Sequence, residues 1–214
     1  MQSHSRRQAV KLLAAASLIP LVTPAMAEQT FSIVALGDSL TAGYGLPPED
    51  AFTTRLEQRL KANGLNVEVV NAGVSGDTSK GGLARIDWSV PDGSGLVIVE
   101  LGANDALRGI SPAETAKNLD AIIARLKQRG IGVLLTGMLA PPNMGKDYEA
   151  AFNAIYPKLA EKHGVELYPF FLDGVVADPK LNQADGIHPN AAGTTVIVER
   201  LSPTVDKLVR LLAS

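Results

Sequence analysis

Four short runs of almost unbroken apolar character, 31–36, 67–71, 96–101 and 131–136, return along the chain with longer amphipathic stretches between them. Runs of that length and composition fit strands buried on both faces, the condition of a parallel sheet covered by helices. A fifth run at 165–168 is shorter and reads as an edge. Parallel neighbours need long crossovers, and the amphipathic stretches supply them. The expected class is therefore α/β, with a five-stranded parallel sheet between helical layers.

The helices carry their own punctuation. Over 51–63, Phe52, Leu56 and Leu60 recur at helical spacing and Gly64 follows as a left-handed stop. Ser111, Pro112 and Glu114 supply a cap, a first-turn proline and an acid three residues after the cap, opening a helix that runs to Arg129 before Gly130. A helix over 148–163 ends at Gly164, with a kink or break expected at Pro157. A last helix spans about 190–212.

At the N-terminus, Arg6, Arg7 and Lys11 precede an apolar run over 12–22 and then Ala25-Met26-Ala27. That order is a signal peptide over 1–27, leaving one domain over 28–214. The apolar run falls short of the roughly 20 residues that span a bilayer. Ser5-Arg6-Arg7-Gln8-Ala9-Val10-Lys11 also resembles a twin-arginine signal, so export to the periplasm or medium by the Sec or twin-arginine route is expected. Removal of three of the 20 Lys and Arg leaves 17 against 22 Asp and Glu. An acidic domain without basic clusters excludes nucleic acid as a natural partner. The sequence holds no cysteine, which removes disulfides, thiolate metal sites and a cysteine nucleophile.

Ligand sites of open parallel sheets lie beyond the carboxyl ends of the strands. Polar, glycine-rich turns follow the first three: Gly37-Asp38-Ser39-Leu40, the segment from Ala72 to Asp77 containing Gly76, and Gly102-Ala103-Asn104-Asp105. After residue 27 there are two histidines. His163 closes a helix, where the dipole favours a cation, and needs no further role. His188 lies in Asp185-Gly186-Ile187-His188-Pro189, with a carboxylate three residues upstream in a tight turn. A carboxylate on one ring nitrogen leaves the other free to deprotonate a hydroxyl. Asp185 capping the turn, with His188 a surface residue, is an equally ordinary reading of that spacing. Ser39 is the candidate nucleophile, although Asp and Ser before a helix are most often caps. Gly76 and Asn104 are candidate oxyanion donors, from a backbone N–H and a side-chain amide, against the ordinary reading of both as turn formers. Two histidines and no cysteine make a zinc site a poor fit. The Gly-x-Ser-x-Gly elbow is absent from the sequence.

Taken together, Gly37-Asp38-Ser39-Leu40, Gly76, Gly102-Ala103-Asn104-Asp105 and Asp185-Gly186-Ile187-His188-Pro189 resemble, in order and spacing, the four blocks of the SGNH or GDSL hydrolase family. Within it the likeness is to exported bacterial acyl hydrolases of thioesterase, arylesterase and lysophospholipase type. The resemblance implies a flavodoxin-like three-layer α/β/α sandwich and a catalytic triad of Ser39, Asp185 and His188. It also implies an oxyanion hole of the Ser39 N–H, the Gly76 N–H and Asn104, with no metal or organic cofactor. Ala103 departs from the second glycine common among such relatives, which bears on pocket shape alone.

Segments 106–111 and 139–147 are expected to be loops that wall the pocket. There Leu107, Ile110, Met138, Leu139 and Met144 offer apolar surface for an acyl or aryl group, though such residues are more often plain packing. Arg108 reads as a partner for an anionic head group or as a solvated charge. Asp38, Leu107, Arg108, Ile110, Leu139 and Pro141 form the expected substrate-contacting set. The expected substrates are small esters or lipids: aryl esters, short to medium acyl esters, lysophospholipids and thioesters, with any membrane contact transient and at the surface. Carbohydrate deacetylation is the rival within enzymes, disfavoured by few aromatics and a single tryptophan, Trp88. A non-catalytic binding module on a flavodoxin-like scaffold is the rival from another class, since fold does not fix function; no phosphate-binding glycine loop supports it.

Overall fold

The computed structural model describes residues 30–213; the expected signal peptide lies outside them. Five strands, β1 (Phe31–Gly37), β2 (Val67–Gly73), β3 (Leu96–Glu100), β4 (Gly132–Thr136) and β5 (Glu166–Tyr168), form one all-parallel sheet in the order β2-β1-β3-β4-β5. Eight α-helices accompany them among the described residues: α1 (Ser39–Ala42), α2 (Phe52–Ala62), α3 (Ser79–Ser89), α4 (Ala103–Leu107), α5 (Pro112–Gln128), α6 (Lys146–Asn153), α7 (Ile155–His163) and α8 (Ala191–Leu212). One layer pairs α2 with α8, and the other sets α3 and α7 against α5. This is the flavodoxin-like sandwich, whose chain order reverses between β1 and β3.

The core forms because the central strands are apolar on both faces. Ile33 to Leu36 of β1 and Leu96 to Val99 of β3 are wholly buried, as are Leu56 and Leu60 of α2 and Leu119, Ile122 and Ile123 of α5. Helix ends follow the local chemistry. Gly64 has φ +84° beyond α2, Ser111 Oγ accepts from the Glu114 N–H at the start of α5, and Gly164 has φ +60° beyond α7.

Three expectations fail in detail. Strand β2 is not buried on both faces: it is an edge, Glu68 and Asn71 are exposed, and only Val67 and Val69 point firmly inward. The helix over 148–163 breaks at Ala154 rather than at Pro157. Proline lacks an N–H and crowds the carbonyl four residues back, so a break just upstream places Pro157 in the first turn of α7, where neither defect matters. Segments 106–111 and 139–147 are not all loop, because residues 106 and 107 complete α4 and residues 146 and 147 open α6.

Candidate active site

Chain reversal after β1 places the nucleophile candidate. Asp38 caps α1, its Oδ1 accepting from the Leu40 N–H at 3.0 Å, and Ser39 opens the helix. The tight approach depends on Gly37, where a Cβ would sit 2.0 Å from Thr41 Oγ1 and 2.7 Å from the Glu100 carbonyl oxygen. One turn thus both caps the helix and sets Ser39 just beyond the end of β1.

Ser39 Oγ lies 2.9 Å from His188 Nε2, and His188 Nδ1 lies 2.6 Å from Asp185 Oδ2. The other Asp185 oxygen accepts from the backbone N–H groups of Ile187 (2.9 Å) and His188 (3.0 Å). Those N–H groups, His188 first, and the imidazole bond lower the Asp185 pKa to about 2. The carboxylate therefore stays ionised across the working range and fixes Nδ1 as the protonated ring nitrogen, leaving Nε2 to face the hydroxyl. The loop itself is tied down. The Gln183 N–H donates to the His188 carbonyl at 2.7 Å, and Gln183 Nε2 donates to the carbonyls of Tyr44 (2.7 Å) and Pro189 (2.9 Å), joining the histidine loop to the turn after α1. The Tyr44 ring lies against the imidazole, centroids 4.6 Å apart.

The two oxyanion candidates flank this pair. Gly76 takes the third position of the turn Val74 to Asp77, with φ +82°, a conformation that favours glycine. Its N–H and that of Ser39 have no acceptor among the described residues. Asn104, in the first turn of α4, donates Nδ2 to Asp38 Oδ2 at 3.0 Å, which leaves its second amide proton free. Buried polar groups hold these turns. Asp105 accepts from the N–H (2.8 Å) and Oγ (2.5 Å) of Ser79 and from Thr115 Oγ1 (3.1 Å), pinning α4 to the starts of α3 and α5. Arg85 bonds Asp77 (2.7 Å) and the carbonyls of Ala72 (2.8 Å) and Gly37 (2.8 Å), clamping the ends of β1 and β2 to the Gly76 turn.

A cavity of about 570 Å³ opens beside Ser39, within the range of small-molecule sites. Asp38, Leu107, Leu139 and Pro141 of the expected set line it, as does Met138, with Asp38 wholly buried at its floor. Arg108 and Ile110 do not. Arg108 turns back to donate to the Gly76 carbonyl at 2.7 Å, while the Ile110 backbone bonds Asp105 and Tyr148. Met144 also stands outside the lining. Sequence reasoning missed Phe170, Leu172 and Val176, which wall the cavity from the segment after β5. Reading β5 as a mere edge hid them, although Phe170-Phe171-Leu172 and Val175-Val176 form an apolar run past a strand end. His163 is remote, paired with Asp120 at 2.6 Å. A depression of similar size between α2 and α8, lined by Arg59, Asp206, Lys207 and Arg210, contains none of these groups. Among the described residues no three of His, Asp and Glu converge as a metal-ligand set.

Comparison with known proteins places this arrangement. The profile of the GDSL-like Lipase/Acylhydrolase family matches residues 35–196. The chain is 40% identical over 199 residues to "Esterase TesA" of Pseudomonas aeruginosa, covering 92% of this chain and 98% of that one. It is 39% identical over 193 residues to "Thioesterase 1/protease 1/lysophospholipase L1" of Escherichia coli, covering 90% of each. Among solved structures, AlinE4, described as an SGNH-hydrolase family esterase, superposes with a TM-score of 0.72 at 48% identity over 85% of this chain and 98% of that one. The chain belongs to the GDSL-like lipase/acylhydrolase family.

Proposed function

We propose that this chain, a carboxylic ester hydrolase by its family, cleaves small acyl and aryl esters through an acyl-enzyme on Ser39. The observation that carries the reading is the unbroken chain from Ser39 Oγ through His188 to Asp185, with contacts of 2.9 and 2.6 Å. His188 Nε2 takes the Ser39 proton as Oγ bonds the carbonyl carbon, and the carbonyl electron pair moves onto oxygen. The Ser39 and Gly76 N–H groups and the free Asn104 proton receive that oxyanion. On collapse of the intermediate the imidazolium gives its proton to the departing alcohol or thiol. Water then repeats the sequence on the acyl-enzyme and releases the acid, restoring Ser39.

The cavity supports esters with apolar acyl or aryl parts: aryl esters, short to medium acyl esters, lysophospholipids and thioesters. Its walls are Leu107, Met138, Leu139, Phe170, Leu172 and Val176. Export under the 1–27 signal would place the enzyme where envelope esters and lysophospholipids, rather than cytosolic acyl-CoA, are at hand. A fluorophosphonate probe tests the mechanism. One adduct per chain, absent in Ser39→Ala, is expected; equal labelling of that variant would refute it.

A further inference from the structure

At the C-terminal end of the apolar strand β3, Glu100 is wholly buried. Its two oxygens are not equivalent. Oε2 accepts from Thr41 Oγ1 at 2.8 Å and from the Asp38 N–H at 3.4 Å, whereas Oε1 is buried and has no donor. The nearby Tyr156 hydroxyl is committed to the Leu101 carbonyl at 3.0 Å and cannot supply one. One oxygen that only accepts and one that nothing donates to is the pattern of a carboxylic acid, with carbonyl at Oε2 and hydroxyl at Oε1. Asp38, whose own N–H reaches Oε2 at 3.4 Å and whose carboxylate is close enough to raise the Glu100 pKa, is the acceptor that this hydroxyl requires.

We infer that Glu100 is a positioning residue: a buried acid whose hydroxyl donates to Asp38, so that the Asp38 carboxylate holds one proton of the Asn104 amide and aims the other at the oxyanion. This rests on the reading of Asn104 as an oxyanion donor. Without such a proton the arrangement would be self-defeating, because a bare carboxylate 3.0 Å from Asn104 Nδ2 would oppose the negative charge that the amide is there to receive. Three donors, the Leu40 N–H, Asn104 and the Glu100 hydroxyl, spread the Asp38 charge among them. Two adjacent buried carboxyls cannot both ionise freely. Burial, then the neighbouring Asp38, raises the Glu100 pKa well above the ordinary range, while burial lifts Asp38 only to about 6 because Leu40 and Asn104 favour its charged form. Glu100 is thus the partner that keeps the proton.

The test compares Glu100→Gln, which preserves a carbonyl for Thr41 and a donor for Asp38, with Glu100→Leu, which preserves volume alone. On p-nitrophenyl butyrate, Glu100→Gln should keep kcat near the wild-type value. Glu100→Leu should lower kcat by about 10²-fold with KM little changed, the size expected when a catalytic group is misplaced by an ångström. In an Asn104→Ala background the Glu100→Leu loss should disappear, since there is no amide left to aim. An equal loss in both backgrounds would mean general destabilisation and overturn the inference, as would failure of Glu100→Gln to rescue. Normal turnover of Asn104→Ala would bring down the oxyanion reading and this inference together; an impaired Asn104→Ala beside an unimpaired Glu100→Leu would bring down this inference alone. Should Glu100→Leu not fold, the side-chain carboxyl carbon of Glu100 in wild-type protein, assigned by its loss in Glu100→Gln, should show the protonated chemical shift at neutral pH. An ionised shift there overturns the inference.

Discussion

Asn104 and Ser39 carry unequal parts of the proposed reaction, and their substitutions should differ accordingly. Asn104→Ala removes one of the three proposed oxyanion donors and should lower kcat by roughly 10²- to 10³-fold, with KM nearly unchanged because the contact forms fully only in the transition state. Ser39→Ala should leave almost no turnover, and steady-state kinetics on one ester separates the two. Asp185 gives a prediction about pH. Its folded pKa of about 2 lies below the roughly 3.9 of an unfolded Asp, so it contributes stability above pH about 4 that is lost as pH falls toward 2. The difference in Tm between wild type and Asp185→Asn should therefore narrow from pH 7 to pH 3; a constant gap would contradict the depressed pKa. The triad candidates were legible because a short block held each of them. Glu100 and Tyr44 were not: a lone acid at the end of an apolar strand hints at a buried polar site, but its partners, Asp38 and Thr41, lie some 60 positions away.

Elements were legible where local chemistry decides them and obscure where tertiary contacts do. All five strands fall within a residue or two of their expected limits, because β1, β3 and β4 could only be buried and each is closed by glycine or polar residues. Helix α3 was not anticipated. Its sequence, with paired glycines and little apolar periodicity, is held by the Thr78 cap, the Asp105 bonds to Ser79 and the close seat of Gly82 against Leu101. Arg85 on that helix is the joint between it and the sheet edge. Its guanidinium is almost buried and meets Asp77 and two strand-end carbonyls, so Arg85→Met would strand a largely buried carboxylate and two acceptors. Losing one partner of such a pair costs about 3–5 kcal/mol, so urea denaturation should show a loss of that order. Turnover should fall too, because the Gly76 turn loses its clamp. A variant as stable as wild type would mean that Asp77 finds water instead.

Across the whole molecule, the sheet order sets where binding energy can be found. Chain reversal between β1 and β3 opens a crevice at the strand ends, and Ser39 and Asn104 stand on its two sides while segments after β4 and β5 extend it. Apolar side chains at its mouth, Leu107, Leu139, Val176 and Ile187, remain about half exposed, and the half left in water gains nothing for folding. Their area becomes useful when an acyl chain covers it. Each methylene so buried is worth about 0.8 kcal/mol, roughly fourfold in kcat/KM. Along p-nitrophenyl esters from acetyl to octanoyl, kcat/KM should therefore climb by steps of that order at most, chiefly through KM, until the chain passes the rim. Val176→Ser and Leu139→Ser should flatten that climb while leaving the acetyl ester almost untouched, since acetyl does not reach them. If the acetyl ester is instead the best substrate and the rim variants change nothing, the apolar mouth is not an acyl groove, and the reading would shift to deacetylation.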